Sequence, residues 1–134
     1  MNKTIHLDIY TPTGKYLSTD VDFIKVTSSV SVLGILPGHA PLVTTLEICI
    51  LTLKTNSKET RYAIGGGVLN IKKDRSATML LNSIEKSDEI DFMRAEESKK
   101  RAEERLEARH EDIDVTRAKA ALSRALNRLS LKDK

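Results

Sequence analysis

From residue 5 the chain alternates apolar and polar positions: Ile5, Leu7 and Ile9 enclose His6 and Asp8, and Thr11-Pro12-Thr13-Gly14 then supplies turn chemistry. Successive side chains of a strand point to opposite faces, so this period of two predicts a half-buried strand and its turn. Similar runs recur at Val21 to Thr27, Glu47 to Lys54, Arg61 to Ile64, Val68 to Lys72 and Ala77 to Leu81, with Asn56-Ser57 and Lys73-Asp74-Arg75 as turn candidates. Short strands at this spacing predict a sandwich or flattened barrel of hairpins. After Ile84 the pattern becomes helical. Ser87 or Asp88 is available as an N-cap, and Arg109-His110-Glu111-Asp112 is a natural break, with Asp112 capping a second helix. Two helices of about 17 to 20 residues in an αα-hairpin are expected.

Composition changes at the same point. Residues 1 to 84 hold all six Gly, all three Pro and 26 Val, Ile or Thr, whereas the tail keeps only Ile90, Ile113, Val115 and Thr116 of that β-branched set. The first part carries 9 basic and 6 acidic residues; the last 50 residues carry 13 of each. An all-β domain over residues 1–84 followed by a C-terminal α-helical hairpin over 85–134 is the architecture this predicts.

The tail also repeats itself. At an offset of 23, Ile90, Asp91, Arg94 and Ala95 pair with Ile113, Asp114, Arg117 and Ala118, and Arg101, Ala102, Arg105 and Leu106 pair with Arg124, Ala125, Arg128 and Leu129. On a helical projection Val115, Ala118, Leu122, Ala125, Leu126 and Leu129 share one stripe about 100° wide, with Arg117, Arg124 and Arg128 on the opposite side. The first helix has a thinner stripe of Phe92, Ala95, Ala102 and Leu106, interrupted by Lys99 and Glu103. Alanine-rich faces bury little area, so at ~25 cal/mol per Å² the hairpin is expected to be only marginally held.

Charge and chemistry narrow the function. A net charge of +3 with two Phe, three Tyr and no Trp is a poor basis for nucleic-acid binding. The single cysteine, Cys49, cannot form an intrachain disulfide, no apolar run reaches the roughly 20 residues of a membrane span, and the N-terminal residues lack an apolar signal region. A soluble, cytoplasmic chain is expected, reaching a membrane only through a partner. Gly65-Gly66-Gly67 lacks the lysine of a phosphate loop, and Asn70 stands where a dinucleotide fingerprint needs glycine, so the triplet reads as a bulge or a close backbone approach. His6, His39 and His110 with one cysteine give no zinc spacing. No catalytic constellation is visible, and an enzyme is not expected.

Taken together, Gly34-Ile35-Leu36-Pro37-Gly38-His39-Ala40-Pro41-Leu42, the Gly65-Gly66-Gly67-Val68-Leu69 turn, Glu89-Ile90-Asp91-Phe92-Met93-Arg94-Ala95 and the terminal Arg117-Ala118 through Arg124-Ala125-Leu126-Asn127-Arg128-Leu129 resemble the epsilon subunit of bacterial F-type ATP synthases. The resemblance spans nearly the whole chain. It implies an N-terminal β-sandwich bound to the gamma subunit and the membrane c-ring, at the cytoplasmic face of the membrane. It further implies a hairpin that either folds down on the sandwich or extends into the alpha/beta catalytic head, where it inhibits ATP hydrolysis. Members of the Bacillus type bind ATP as a regulatory ligand, not a cofactor, through a motif that falls here on Ile90, Asp91, Arg94 and Ala95. Carried over with it are Glu85, near the adenine, and Arg117, Arg124 and Arg128, which match arginines linked to phosphate or to the acidic beta-subunit segment. An arginine edge is chemically suited to phosphate oxygens, although the same residues also fit i,i+4 pairing with acids such as Glu97 and Asp114. Pro37, Gly38 and His39 fit either a structural turn or a gamma and c-ring contact. Ser28-Ser29-Val30-Ser31-Val32-Leu33 departs from the family pattern by lacking the acidic residue that touches the ring. The rival reading is a stand-alone β-sandwich adaptor whose hairpin binds a partner helix.

Overall fold

The computed structural model describes residues 4–74, 76–108 and 112–132, with residues 112–114 described in their backbone alone. Eight strands come first: β1 (Ile5–Thr11), β2 (Gly14–Val21), β3 (Phe23–Thr27), β4 (Val32–Ile35), β5 (Leu42–Thr55), β6 (Lys58–Ile71), β7 (Ser76–Leu81) and β8 (Ile84–Lys86). A 3₁₀ turn over Ser87–Glu89 precedes α1 (Phe92–Ala108) and α2 (Asp112–Leu129). Contacts cluster into two units, Met1–Lys86 and Ser87–Lys134.

In the first unit the strand order is β2-β1-β7-β6-β5-β3-β4, with β8 added to β6. All pairings are antiparallel except β1 with β7. The long hairpin of β5 and β6 serves both layers of the sandwich. Leu42–Leu46 pairs with Gly67–Ile71, which in turn pairs with β7. Ile48–Thr55 pairs with Lys58–Gly65, and these halves carry β3 and β8. The buried face changes parity at the crossing: Leu46 gives way to Cys49, Leu51 and Leu53 on β5, and Tyr62 and Ile64 to Leu69 and Ile71 on β6. A strand that passes from one layer to the other must turn its other face inward, so one period-two pattern cannot run through it.

The glycine triplet makes that crossing possible. Gly66 and Gly67 have φ of 91° and 154°, a region in which a side chain is strained. A Cβ on Gly67 would run into the carbonyl oxygen of Leu80, and one on Gly65 into the Ser83 hydroxyl. The backbone of Asn82 and Ser83 closes the bend through Asn82 N–H to Gly66 O (2.9 Å) and Gly65 N–H to Ser83 O (3.0 Å). Close backbone approach is thus the reason for the triplet. The runs expected at Arg61 to Ile64 and Val68 to Lys72 are one strand, joined through these glycines. Val21 ends β2, where the sequence pattern places it at the head of the next run, because Asp22 breaks the pairing before β3. The Asn56-Ser57 turn is the two-residue hairpin its sequence suggests, with φ of 51° and 66°.

Between the layers lie Ile5, Leu7 and Ile9 of β1, Ile24 and Val26 of β3, Ile35, and Ala77, Met79 and Leu81 of β7, together with the buried residues of β5 and β6. Cys49 is part of this core; its thiol lies 3.9 Å from the Thr27 carbonyl, and burial pushes its pKa up.

In the second unit α1 (17 residues) and α2 (18 residues) pack against each other. The expected break at Arg109-His110-Glu111 and the expected capping side chain of Asp112 lie outside the described residues. With no glycine to stop it, α2 ends in tight turns: Ser130 N–H to Leu126 O (3.0 Å), Leu131 N–H to Arg128 O (3.1 Å) and Lys132 N–H to Leu129 O (3.0 Å).

Candidate functional site

Two regions carry the sequence-predicted residues. The first is the turn entering β5. Leu36-Pro37-Gly38-His39 closes with His39 N–H to Leu36 O at 3.1 Å and Gly38 at φ 88°. Proline presets the second position of such a turn and glycine supplies the positive φ at the third, the type II signature. His39 is exposed, and its Nδ1 donates to the Ala40 carbonyl at 2.7 Å, so the imidazole is tied to the turn with Nε2 directed elsewhere. Leu36 and Val43 on either side are exposed, as are Val30 and Val32 in the neighbouring segment. The Ser28 to Leu33 departure has a local cause. Ser28 is buried, accepts from the N–H groups of Val30 (3.1 Å) and Ser31 (3.0 Å), and donates to Ser31 O (2.9 Å), so a serine closes the loop on itself.

The second region is the helical unit. Asp91 accepts the Arg94 N–H on its Oδ1 at 3.0 Å, while its carbonyl accepts the Ala95 N–H at 3.0 Å. That geometry makes Asp91 the N-cap of α1. The expectation of Ser87 or Asp88 as cap is corrected: the 3₁₀ turn takes up Ser87–Glu89 and Ile90 is buried before the helix starts. The first turn of α1 contains no acidic residue and does contain Arg94. Asp91 is therefore the carboxylate that compensates the positive end of the helix dipole. Within the Ile90-Asp91-x-x-Arg94-Ala95 motif, Ile90 and Ala95 are buried and Asp91 and Arg94 are exposed.

Among the described residues, the buried positions of the two helices are alanines. Ala95 and Ala102 of α1 and Ala118 and Ala125 of α2 are at most 3% exposed, and each pair is seven residues apart and equivalent under the 23-residue repeat. Phe92, Leu106, Val115, Leu122 and Leu129 are half-buried. Leu126, expected on the apolar stripe, is 47% exposed. Burial is thus displaced from the leucine side of α2 toward the alanine side. The arginine edge flanks the buried positions at about a quarter turn and does not oppose them. Arg124 and Arg128 are accordingly half-buried and Arg117 is exposed. On α1, Lys99 Nζ stands 3.9 Å from Glu96 Oε1, a surface pair of small weight.

Glu85 lies outside the helical unit. It is half-buried in β8, paired with Ala63 of β6, and so belongs to the β unit. The structure brings Asp91 and Arg94 together at one helix end and Arg117, Arg124 and Arg128 onto one edge of α2. Among the described residues, no group of three or more His, Cys, Asp or Glu side chains is placed to hold a metal ion, and no helix is long and apolar enough to cross a membrane. Sequence reasoning misses the capping role of Asp91, although an Asp ahead of an acid-free first turn is its signal.

The fold thus defines a two-part class of protein, a β-sandwich built on a glycine-bent hairpin followed by an alanine-packed helical hairpin with an arginine edge. Residues 4–87 match the family described as ATP synthase, Delta/Epsilon chain, beta-sandwich domain, and residues 88–132 match ATP synthase, Delta/Epsilon chain, long alpha-helix domain; the chain belongs to this family. More particularly, it is similar to epsilon chains. It is 40% identical to the ATP synthase epsilon chain of Bacillus licheniformis, covering 96% of this chain and 98% of that one, and 41% identical to the ATP synthase epsilon chain of Desulforamulus reducens, covering 96% and 97%. It is a non-catalytic subunit of that type. In fold it resembles a chain of the Euglena gracilis mitochondrial ATP synthase, with a TM-score of 0.81 at 20% identity, covering 92% of this chain and 78% of that one.

Proposed function

We propose that the chain works in the central stalk of a bacterial F-type ATP synthase, peripheral to the membrane, with the β unit held by the gamma subunit and the c-ring. The helical unit restrains ATP hydrolysis by the alpha/beta head and binds ATP when folded. The observation that carries the regulatory part is the pairing of a capped Ile90-Asp91-x-x-Arg94-Ala95 segment with Arg117, Arg124 and Arg128 on one edge of the adjacent helix. Guanidinium groups suit the phosphate oxygens of a nucleotide, being planar and permanently charged, and those of the half-buried Arg124 and Arg128 are partly shielded from water. Glu85, on the strand that precedes the helical unit, joins this set as the adenine-side residue. The turn at Pro37, Gly38 and His39, flanked by exposed Leu36 and Val43, supports a docking edge for gamma and the ring. Match to the family over both halves favours this reading over a stand-alone adaptor.

Titrating the isolated chain with ATP, followed by amide NMR shifts, tests the proposal. Shifts should concentrate in residues 90–95 and 117–128 and disappear in Arg124→Ala/Arg128→Ala. In the assembled complex the same double variant should raise ATP hydrolysis. If ATP shifts nothing in the wild-type chain, the nucleotide role is lost; if hydrolysis is unchanged, so is the inhibitory role of the edge.

A further inference from the structure

At the free edge of the sheet, register places three ionisable side chains on one outward face. His6 of β1 lies opposite Asp20 of β2, and Asp8 follows His6 by two residues, opposite Ser18. The imidazole sits between the carboxylates. Its Nδ1 is 2.8 Å from Asp20 Oδ1, and its Nε2 is 3.2 Å from Ser18 Oγ and 3.5 Å from Asp8 Oδ1. That Asp8 oxygen is shielded from water and has no hydrogen-bond partner, and Lys15 Nζ is 3.9 Å away. From β7 the residue facing His6 is Ser76, which is bonded to Asp74, with Lys72 beside that carboxylate.

We propose that His6 is a proton-operated latch for the edge strand: as imidazolium, its charge steadied by Asp8 two residues along its own strand, it ties β2 to β1 through a charge-assisted hydrogen bond to Asp20, and as neutral imidazole it holds Asp20 by the weaker uncharged bond. The proton balance is simple. Asp20 accepts the Nδ1–H in both forms. In the neutral ring Nε2 is an acceptor, satisfied by the Ser18 hydroxyl, and the Asp8 oxygen faces no charge on the ring. Protonation at Nε2 turns that nitrogen into a donor toward Asp8 and turns the Ser18 hydroxyl, no longer needed by the ring, to donate to the Asp8 carboxylate. Position in the sheet makes the latch matter. β2 is the end strand, paired to the sheet through β1, and an edge strand is where local opening starts.

The pKa directions agree with the geometry. The Asp20 hydrogen bond, aided by the charge of Asp8, raises His6 above its ordinary value. The Ser18 hydrogen bond, then the charges of His6 and Lys15, holds Asp8 below its own. A histidine raised in the folded state contributes stability that is complete below the ordinary value near 6.5 and is lost as pH climbs through the folded value.

The test is an NMR titration of the full chain that follows the His6 ring proton, together with hydrogen-exchange protection of the Leu17 to Val21 amides. The His6 midpoint should lie above 6.5, and Asp20→Asn and Asp8→Asn should each lower it. Protection of β2 should fall on raising pH by a factor of ten to the power of the midpoint displacement, and His6→Gln should remove that fall. A wild-type midpoint at or below 6.5 overturns the latch. So does β2 protection that follows the β5–β6 hairpin at every pH, or that keeps its pH dependence in His6→Gln.

Discussion

Replacing Asp91 separates two roles, helix cap and proposed ATP ligand, that the Ile90-Asp91-x-x-Arg94-Ala95 segment superimposes on one carboxylate. As N-cap it receives the Arg94 N–H at 3.0 Å, and loss of such a cap to alanine costs about 1 kcal/mol. Its charge also offsets the helix dipole beside Arg94, worth about 0.3–1 kcal/mol. Asp91→Ala removes both, about 1.5 kcal/mol in all, which corresponds to roughly a tenfold rise in the opening constant of α1. Asp91→Asn keeps a capping oxygen and loses only the charge, so its opening constant should rise by no more than about fivefold. Few large side chains are buried in this helix: Ala95 and Ala102 are its buried residues, so the cap is a substantial share of what holds it. Native-state hydrogen exchange of the α1 amides measures the opening, and an ATP titration of the same samples measures the ligand. The expected pattern is loss of helix protection in Asp91→Ala but little in Asp91→Asn, with ATP binding weakened in both. Unchanged α1 protection in Asp91→Ala would refute the capping argument. Full ATP affinity in Asp91→Asn would show that the carboxylate serves the helix alone.

The β unit carries further expectations. Gly67→Ala puts a Cβ into the Leu80 carbonyl at a φ of 154°, and should cost about 3 kcal/mol or more, lowering the thermal midpoint of the β unit. A fragment ending at Lys86 retains β8 on β6 and should fold and bind the gamma subunit, whereas one ending at Ser83 should show reduced thermal stability by circular dichroism. Cys49, buried and with its pKa raised, should resist alkylation by iodoacetamide at pH 7 in the native chain and react when the chain is unfolded in guanidinium; rapid native labelling would contradict the core placement.

Much of this protein is fixed by neighbours a few residues apart, and that part is legible in the sequence. Alternation at Ile5, Leu7 and Ile9, the positive-φ pair Asn56-Ser57, the Pro37-Gly38 turn and the Ala, Glu, Lys and Arg content of the tail each predict their element, because strand period, turn chemistry and helix propensity are local quantities. The β-sandwich and the two helices come from them. Tertiary structure decided the rest. No local signal joins Arg61 to Ile64 with Val68 to Lys72 across three glycines: the alternation changes parity there, and only the approach of Leu80, Asn82 and Ser83 explains why glycine is needed. The helical projection puts Ala118 and Ala125 on the apolar stripe, where they are buried, but does not foresee that Leu126 of the same stripe is exposed; hydrophobicity ranks leucine first, but a close-packed helical unit buries the side chains that fit. Asp91 became a cap because the 3₁₀ turn over Ser87–Glu89 placed the helix start beyond the earlier candidates. His6, Asp8 and Asp20 look unrelated along the chain, fourteen residues separating the outer pair. Strand register is set by long-range pairing, and it is register that brings the imidazole of His6 within 2.8 Å of the Asp20 carboxylate.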